Sequence, residues 1–250
     1  MYLFNGDCLE VMQQIANNSV DAIICDLPYG TTKCAWDVVI PFEALWEHYL
    51  RISKPTTPII LFGQEPFSSL LRLSNLPMYK YDIYWEKERL TNINQVKRRP
   101  GKVIETISVF YQQQPTYNPI MLEHTGVPVT NGVKDGVLGK LSDTATHKVA
   151  KYHDTGYRYP TQLWKYNRDI LTENLHETQK PVALLEALVK TYTNVGDLVL
   201  DSCMGSGTTG VACKKHKREF IGIELDKRYY EIAVNRIENI AEELDFSGLL

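Results

Sequence analysis

Hydrophobic positions along the first third of the chain alternate between two periods. In "CLEVMQQIA", Leu9, Met12 and Ile15 recur at three-residue steps and predict one face of a helix, whereas "VDAIIC" is a short unbroken apolar run of the kind that predicts a buried strand. "PFEALWEHYLRIS" returns to the helical period with Phe42, Leu45, Trp46 and Tyr49, and "TPIILF" predicts a second buried strand ended by Gly63. Strands and helices in alternation predict βα units around a mostly parallel sheet.

Two further strands are predicted at "YDIYW" and "ETISVFY", and then both periods lapse. Residues 112–175 carry scattered Gly, Pro, Asn, Thr and Lys with many tyrosines, too long a stretch for a plain loop in a compact domain, so an inserted, loop-rich region is expected. Regular patterning resumes with "KPVALLEALVKTYT", a helix opened by Pro181, followed by "DLVLD", "GTTGVACKKHK", "EFIGIEL" and a closing helix in "KRYYEIAVNRIENIAEEL". The expected fold class is α/β: a doubly wound, mostly parallel Rossmann-like sheet built from both ends of the chain.

With 250 residues, 44% of them hydrophobic, the chain is long enough to bury a core without covalent staples. Its five cysteines, an odd number, show neither disulfide nor zinc spacing, which favours a reducing, cytosolic setting and no metal. His124, His147 and His153 also lack ligand spacing. "MYLFNGDCLE" shows no basic leader, and no apolar window reaches the length of a membrane span, so a soluble, unprocessed protein without a membrane partner is expected. The net charge of −3 conceals an uneven distribution: residues 80–168 have an excess of Lys and Arg, and the remainder is acidic. A basic excess is either a solvated face or a surface facing phosphates.

Candidate chemistry sits at two strand ends. "LVLDSCMGSGTTG" places Gly205, Gly207 and Gly210 in a G-x-G-x-x-G pattern between a strand and a helix, with Glu224 19 residues after Gly205 at the end of the next strand. Such a loop allows close backbone approach to a nucleotide, and such a carboxylate accepts hydrogen bonds from a ribose diol, without specifying which adenosine-bearing cofactor is bound. The second site follows "VDAIIC". Asp26 offers carboxylate oxygens, Leu27 a carbonyl, Pro28 a restrained backbone and Tyr29 an aromatic face, a set that suits a planar group with an exocyclic NH₂.

Asp26-Leu27-Pro28-Tyr29 resembles the Asp-Pro-Pro-Tyr motif of S-adenosylmethionine-dependent DNA amino-methyltransferases. "DSCMGSGTTG" resembles their Asp-Pro-Phe-x-Gly-Ser-Gly-Thr cofactor loop, and "HETQKPVALLE" resembles the His-Pro-Thr-Gln-Lys-Pro segment that precedes it. Leu27, Glu177 and Ser202-Cys203 depart from those patterns. The order, catalytic motif first and cofactor loop last, resembles the β-group of these enzymes.

The resemblance implies that residues 1–111 form the N-terminal part of a catalytic domain, 112–175 an inserted target-recognition region, and 176–250 the cofactor-binding part. It implies S-adenosylmethionine as cofactor and adenine N6 in double-stranded DNA as target, because cytosine-N4 members usually have Ser or Thr in the place of Asp26. It assigns Asp26, Leu27, Pro28 and Tyr29 to catalysis on an extruded base. It assigns Asp7 to the cofactor's adenine amine, Glu224 to its ribose, Gln179 and Lys180 to the neighbourhood of its methionine carboxylate, and Asp201, Gly205, Ser206, Gly207 and Thr208 to the cofactor loop. Asp7 also reads as the N-cap of "CLEVMQQIA", and Lys180 as a solvated helix-start residue.

For nucleic-acid contact the candidates are Lys33 and Trp36 in the loop after Tyr29, Lys97, Arg98 and Arg99 in "VKRRPGK", and Lys151, Arg158, Lys165 and Arg168 in a tyrosine-rich stretch. Trp36 reads equally well as a core anchor. Three rival functions remain: cytosine-N4 transfer, a nucleotide-linked oxidoreductase suggested by the glycine loop alone, and a nucleic-acid-binding module with an inactive cofactor fold. A homodimer is left open.

Overall fold

The computed structural model describes residues 1–31, 37–123, 156–169 and 179–240. The expected alternation is present: β1 (Tyr2–Asn5), α1 (Cys8–Met12), β2 (Ala22–Cys25), α2 (Phe42–Ile52), β3 (Ile59–Gly63), α3 (Phe67–Ser74), β4 (Tyr79–Glu86) and β5 (Ile104–Phe110) come first. After two short strands, β6 (Leu122–Glu123) and β7 (Tyr157–Arg158), come β8 (Leu163–Lys165), α4 (Val182–Tyr192), β9 (Leu198–Asp201), α5 (Thr208–Lys215), β10 (Glu219–Glu224) and α6 (Lys227–Glu238).

Eight strands form one sheet in the order β1-β10-β9-β2-β3-β5-β4-β8. The first five run parallel; β5 lies antiparallel between β3 and β4, and β8 joins β4 in parallel. Strands β2 and β3 are apolar throughout because both their faces are covered. Ile23 and Cys25 join Leu45, Tyr49 and Leu71 on the α1–α3 side, whereas Ala22 and Ile24 join Leu184, Leu188, Val211 and Ile237 on the α4–α6 side. This is the doubly wound, mostly parallel architecture that the periodicity predicts.

Elements that the sequence did not predict are the edge strands β1 and β8, the short strands β6 and β7, and α3, whose eight residues are too few to display a period. The opening helix stops at Met12, so Ile15 is buried beyond its end and not on its face.

The chain divides into two compact units, residues 1–118 with 161–250 and residues 119–160. The first holds the sheet, and the second contains the antiparallel pair β6 and β7. Residues up to 118 stay with the sheet because the Asn118 side-chain amide donates to the carbonyls of Lys190 and Thr193 at the end of α4. Residues from 161 onward stay because β8 extends the ladder of β4. Among the described residues, no helix is long and apolar enough to cross a membrane and no cluster of His, Cys, Asp or Glu is arranged for a metal; His124, His147 and His153 lie outside the described residues.

Candidate active site

Successive βα units progress outward in opposite directions from β2 and β9, which are hydrogen-bonded neighbours, so their carboxyl ends open onto a crevice where the sheet order reverses. A cavity of about 900 Å³ lies there, lined among others by Asp7, Asp26, Tyr29, Lys180, Gly205 and Glu224. The residues after "VDAIIC" and those of the glycine loop therefore share one site.

Past β2, the side chain of Leu27 turns into the core while Asp26 faces the cavity. The Tyr29 hydroxyl donates to Asp26 Oδ1 at 2.5 Å, and the Tyr29 ring packs on Phe67 with centroids 5.0 Å apart. Asp26 Oδ2 accepts from the Lys180 ammonium at 2.6 Å. That ammonium also lies 2.9 Å from Glu105 Oε1, and Lys87 lies 2.5 Å from Glu105 Oε2. Burial works against the charge of Lys180, but Asp26 and Glu105 prevail and hold its ammonium above the usual lysine range. Burial likewise opposes the charge of Glu105, but Lys180 and Lys87 bring its carboxyl down to about 2. The following loop is gathered by Asp37, whose carboxylate accepts from Gly30 N and Thr31 N, each at 2.8 Å. Lys33 and Trp36 lie outside the described residues.

The glycine loop is held by carboxylates with neutral donors. Asp201 accepts from the Thr209 hydroxyl at 2.6 Å and from Cys203 N at 3.1 Å, and burial pushes its carboxyl up to about 6. Glu224 accepts from Gly205 N at 2.9 Å and Asp226 N at 2.8 Å, and burial raises it as well. Gly207 opens α5 with φ +78°, and a Cβ there would come within 2.9 Å of the Ala233 Cβ, so both conformation and space call for glycine. Ser206 donates to Gln179 Oε1 at 3.0 Å and is clasped by Arg236 from α6 through its carbonyl at 2.5 Å and its hydroxyl at 2.9 Å. Thr208 lines the cavity as the first residue of α5. Asp7 caps α1 by accepting from Leu9 N at 2.8 Å and also lines the cavity.

The set is suited to an adenosine-bearing ligand with an amino-acid end. Gln179 Nε2 is buried at the cavity wall with no hydrogen-bond partner among the described residues, a donor that needs an acceptor such as a carboxylate. Glu224 retains lone pairs beyond its two backbone bonds, as a diol partner requires.

The described basic candidates are divided between the two compact units. Lys97, Arg98 and Arg99 are exposed on the turn after residues 93–95, in the same unit as the cavity. Lys165 pairs with Glu86 at 2.9 Å, and Arg168 with Glu88 at 3.2 Å; Arg168 also lines the cavity. Arg158 is on β7 in the second unit, donating to the Tyr157 carbonyl at 3.1 Å. Lys151 lies outside the described residues.

The sequence reading missed Glu105, Lys87 and Arg236. A signal existed for Glu105, which shares the alternation of Ile107 and Val109 and so belongs to a buried face. Lys87, one residue past β4, and Arg236, on a charged helix, carried none.

Residues 20–235 match the family model N6_N4_Mtase, described as a DNA methylase. The type II methyltransferase M2.DpnII of Streptococcus pneumoniae is 51% identical over 263 residues, spanning 95% of this chain and 90% of that protein. The DNA adenine methyltransferase YhdJ of Escherichia coli (strain K12) is 29% identical over 251 residues, spanning 94% and 82%. Among solved structures, the M1.HpyAVI–SAM complex matches with a TM-score of 0.64 and 26% identity, covering 96% of this chain and 99% of that one.

Proposed function

We propose, for a chain that belongs to the N6_N4_Mtase family of DNA methylases, that it transfers a methyl group to the N6 amine of adenine in duplex DNA. The cofactor is S-adenosylmethionine, which supplies an electrophilic methyl on a sulfonium. Gln179 and Ser206 would hold its amino-acid end, Glu224 its ribose and Asp7 its adenine, with the backbone at Gly205 and Gly207 closing against it.

The observation that carries the reading is that Asp26 and the glycine loop line one cavity at the reversal of the sheet. An adenine amine is a weak nucleophile because its lone pair is delocalised into the ring. Hydrogen bonds from that amine to the Asp26 carboxylate and the Leu27 carbonyl favour the pyramidal nitrogen and the positive charge it gains as it is alkylated. Tyr29, tethered to Asp26 and backed by Phe67, offers its ring to the base. Alignment of amine and methyl in one crevice supplies much of the remaining acceleration. The base must leave the duplex to reach this cavity, at a cost of about a few kcal/mol.

Adenine is favoured over cytosine by the carboxylate at position 26 and by the adenine activity named for the YhdJ relative. The early position of Asp26 and the late position of the glycine loop support the permuted, β-group order. The intervening stretch, expected at 112–175, is assigned to target recognition, with Lys97, Arg98 and Arg99 as phosphate contacts. The test is to incubate duplex DNA with enzyme and cofactor and digest it to nucleosides. N6-methyldeoxyadenosine is expected; N4-methyldeoxycytidine overturns the base assignment.

A further inference from the structure

Asp26 is the first member of a chain of alternating charge that the transfer chemistry does not otherwise use. The order is Asp26, Lys180, Glu105, Lys87, with successive separations of 2.6, 2.9 and 2.5 Å. Glu105 and Lys180 are both buried, and Lys87 is fixed beside them where its backbone N–H donates to the Val103 carbonyl at 2.8 Å, just ahead of β5. The Tyr29 hydroxyl closes the network, 2.5 Å from Asp26 Oδ1 and 3.3 Å from Glu105 Oε1. Two carboxylates and two ammonium groups balance, as buried charge requires.

We propose that Glu105 and Lys87 are positioning residues for methyl transfer: they pin the Lys180 ammonium against Asp26 and so hold that carboxylate in one orientation at the cavity wall. The assignment rests on the reading of Asp26 as acceptor of the target amine. A lysine on a flexible four-carbon stem with one partner is free to swing; with Glu105 as a second acceptor its position is fixed from two sides. Lys87 is needed because two carboxylates sharing one ammonium favour proton uptake. Other charged groups near the cluster, among the described residues, include Asp201, which feels Asp26 from the end of β9, and Lys102, which feels both Glu105 and Lys87.

The test compares kcat–pH profiles of DNA methylation by the full chain and by Lys87→Met, Glu105→Gln and the double variant. The acid limb reports proton uptake by the cluster as a unit. Lys87→Met leaves an excess negative charge, so the limb moves to higher pH by about one unit and kcat at neutral pH falls roughly tenfold. Glu105→Gln leaves an excess positive charge, so the limb moves to lower pH while the plateau of kcat still falls. The double variant restores the balance and returns the limb to its original position. The Kd for S-adenosylhomocysteine stays within about twofold in all three, and Lys87→Gln replaces Lys87→Met if the latter does not fold.

If Asp26→Asn is inactive while every cluster variant keeps the unmodified limb and rate, the positioning role is lost and the reading of Asp26 stands. Variants that are only slower, with no opposite shifts and no correction in the double, also overturn the positioning role, because they mark lost packing. Full activity in Asp26→Asn removes the underlying reading itself.

Discussion

Two sets of carboxylates line the crevice and are held in opposite ways. On the β2 side, Asp26 and Glu105 are met by the ammonium groups of Lys180 and Lys87, which bring the Glu105 carboxyl down to about 2. On the β9 side, Asp201 and Glu224 are met by neutral donors, among them a hydroxyl and backbone N–H groups, and burial raises both. The difference separates carboxylates paired with ammonium groups from carboxylates that brace a loop.

The largest test of this contrast pairs Asp26→Asn with Asp201→Asn. Asp26→Asn is expected to lower kcat roughly a hundredfold to a thousandfold with cofactor affinity intact, whereas Asp201→Asn stays within about tenfold. Equal losses in steady-state assays would erase the distinction.

Next comes Glu224→Ala, which strips Gly205 N and Asp226 N of their acceptor. Cofactor Kd, read by calorimetry, should rise roughly tenfold to a hundredfold, with kcat at saturation little changed.

Stability should also depend on pH with opposite signs for the two sides. The Asp201 carboxyl, ordinarily at 3.8, is raised to about 6, so its contribution is fully present below 3.8 and is lost as pH rises through about 6. The Glu105 carboxyl, ordinarily at 4.5, is lowered to about 2, so its contribution is present above 4.5 and is lost as pH falls toward about 2. Urea midpoints should therefore lose the first slope in Asp201→Asn and the second in Glu105→Gln; unchanged slopes in both would refute the assignment.

The smallest effect is expected at the solvent edge of the sheet. The Lys165 side chain is 70% exposed in its pair with Glu86, so Lys165→Ala should change stability by no more than about 0.5 kcal/mol in denaturant titration.

Much of this arrangement was legible because it rests on local patterns. Unbroken apolar runs such as Ala22–Cys25 announce strands covered on both faces, and turn residues at their ends announce the crevice. The glycine loop and Asp26 could each be read, and parallel pairing of β2 with β9 brings them together. What was illegible depends on long-range pairing. Nothing in three residues at 163–165 foretells a ladder with β4, and nothing near Lys180 points to Glu105, 75 positions earlier in the chain. The fastening of Ser206 by Arg236 was hidden for the same reason.

The junctions of the 119–160 unit carry a last implication. On one side Asn118 is tied to the end of α4, and on the other β8 is zipped to β4. Both anchors lie inside the sheet-bearing unit, so the two ends of the passage are fixed whatever its length, and each doubling of that length adds only about 0.6 kcal/mol of closure entropy.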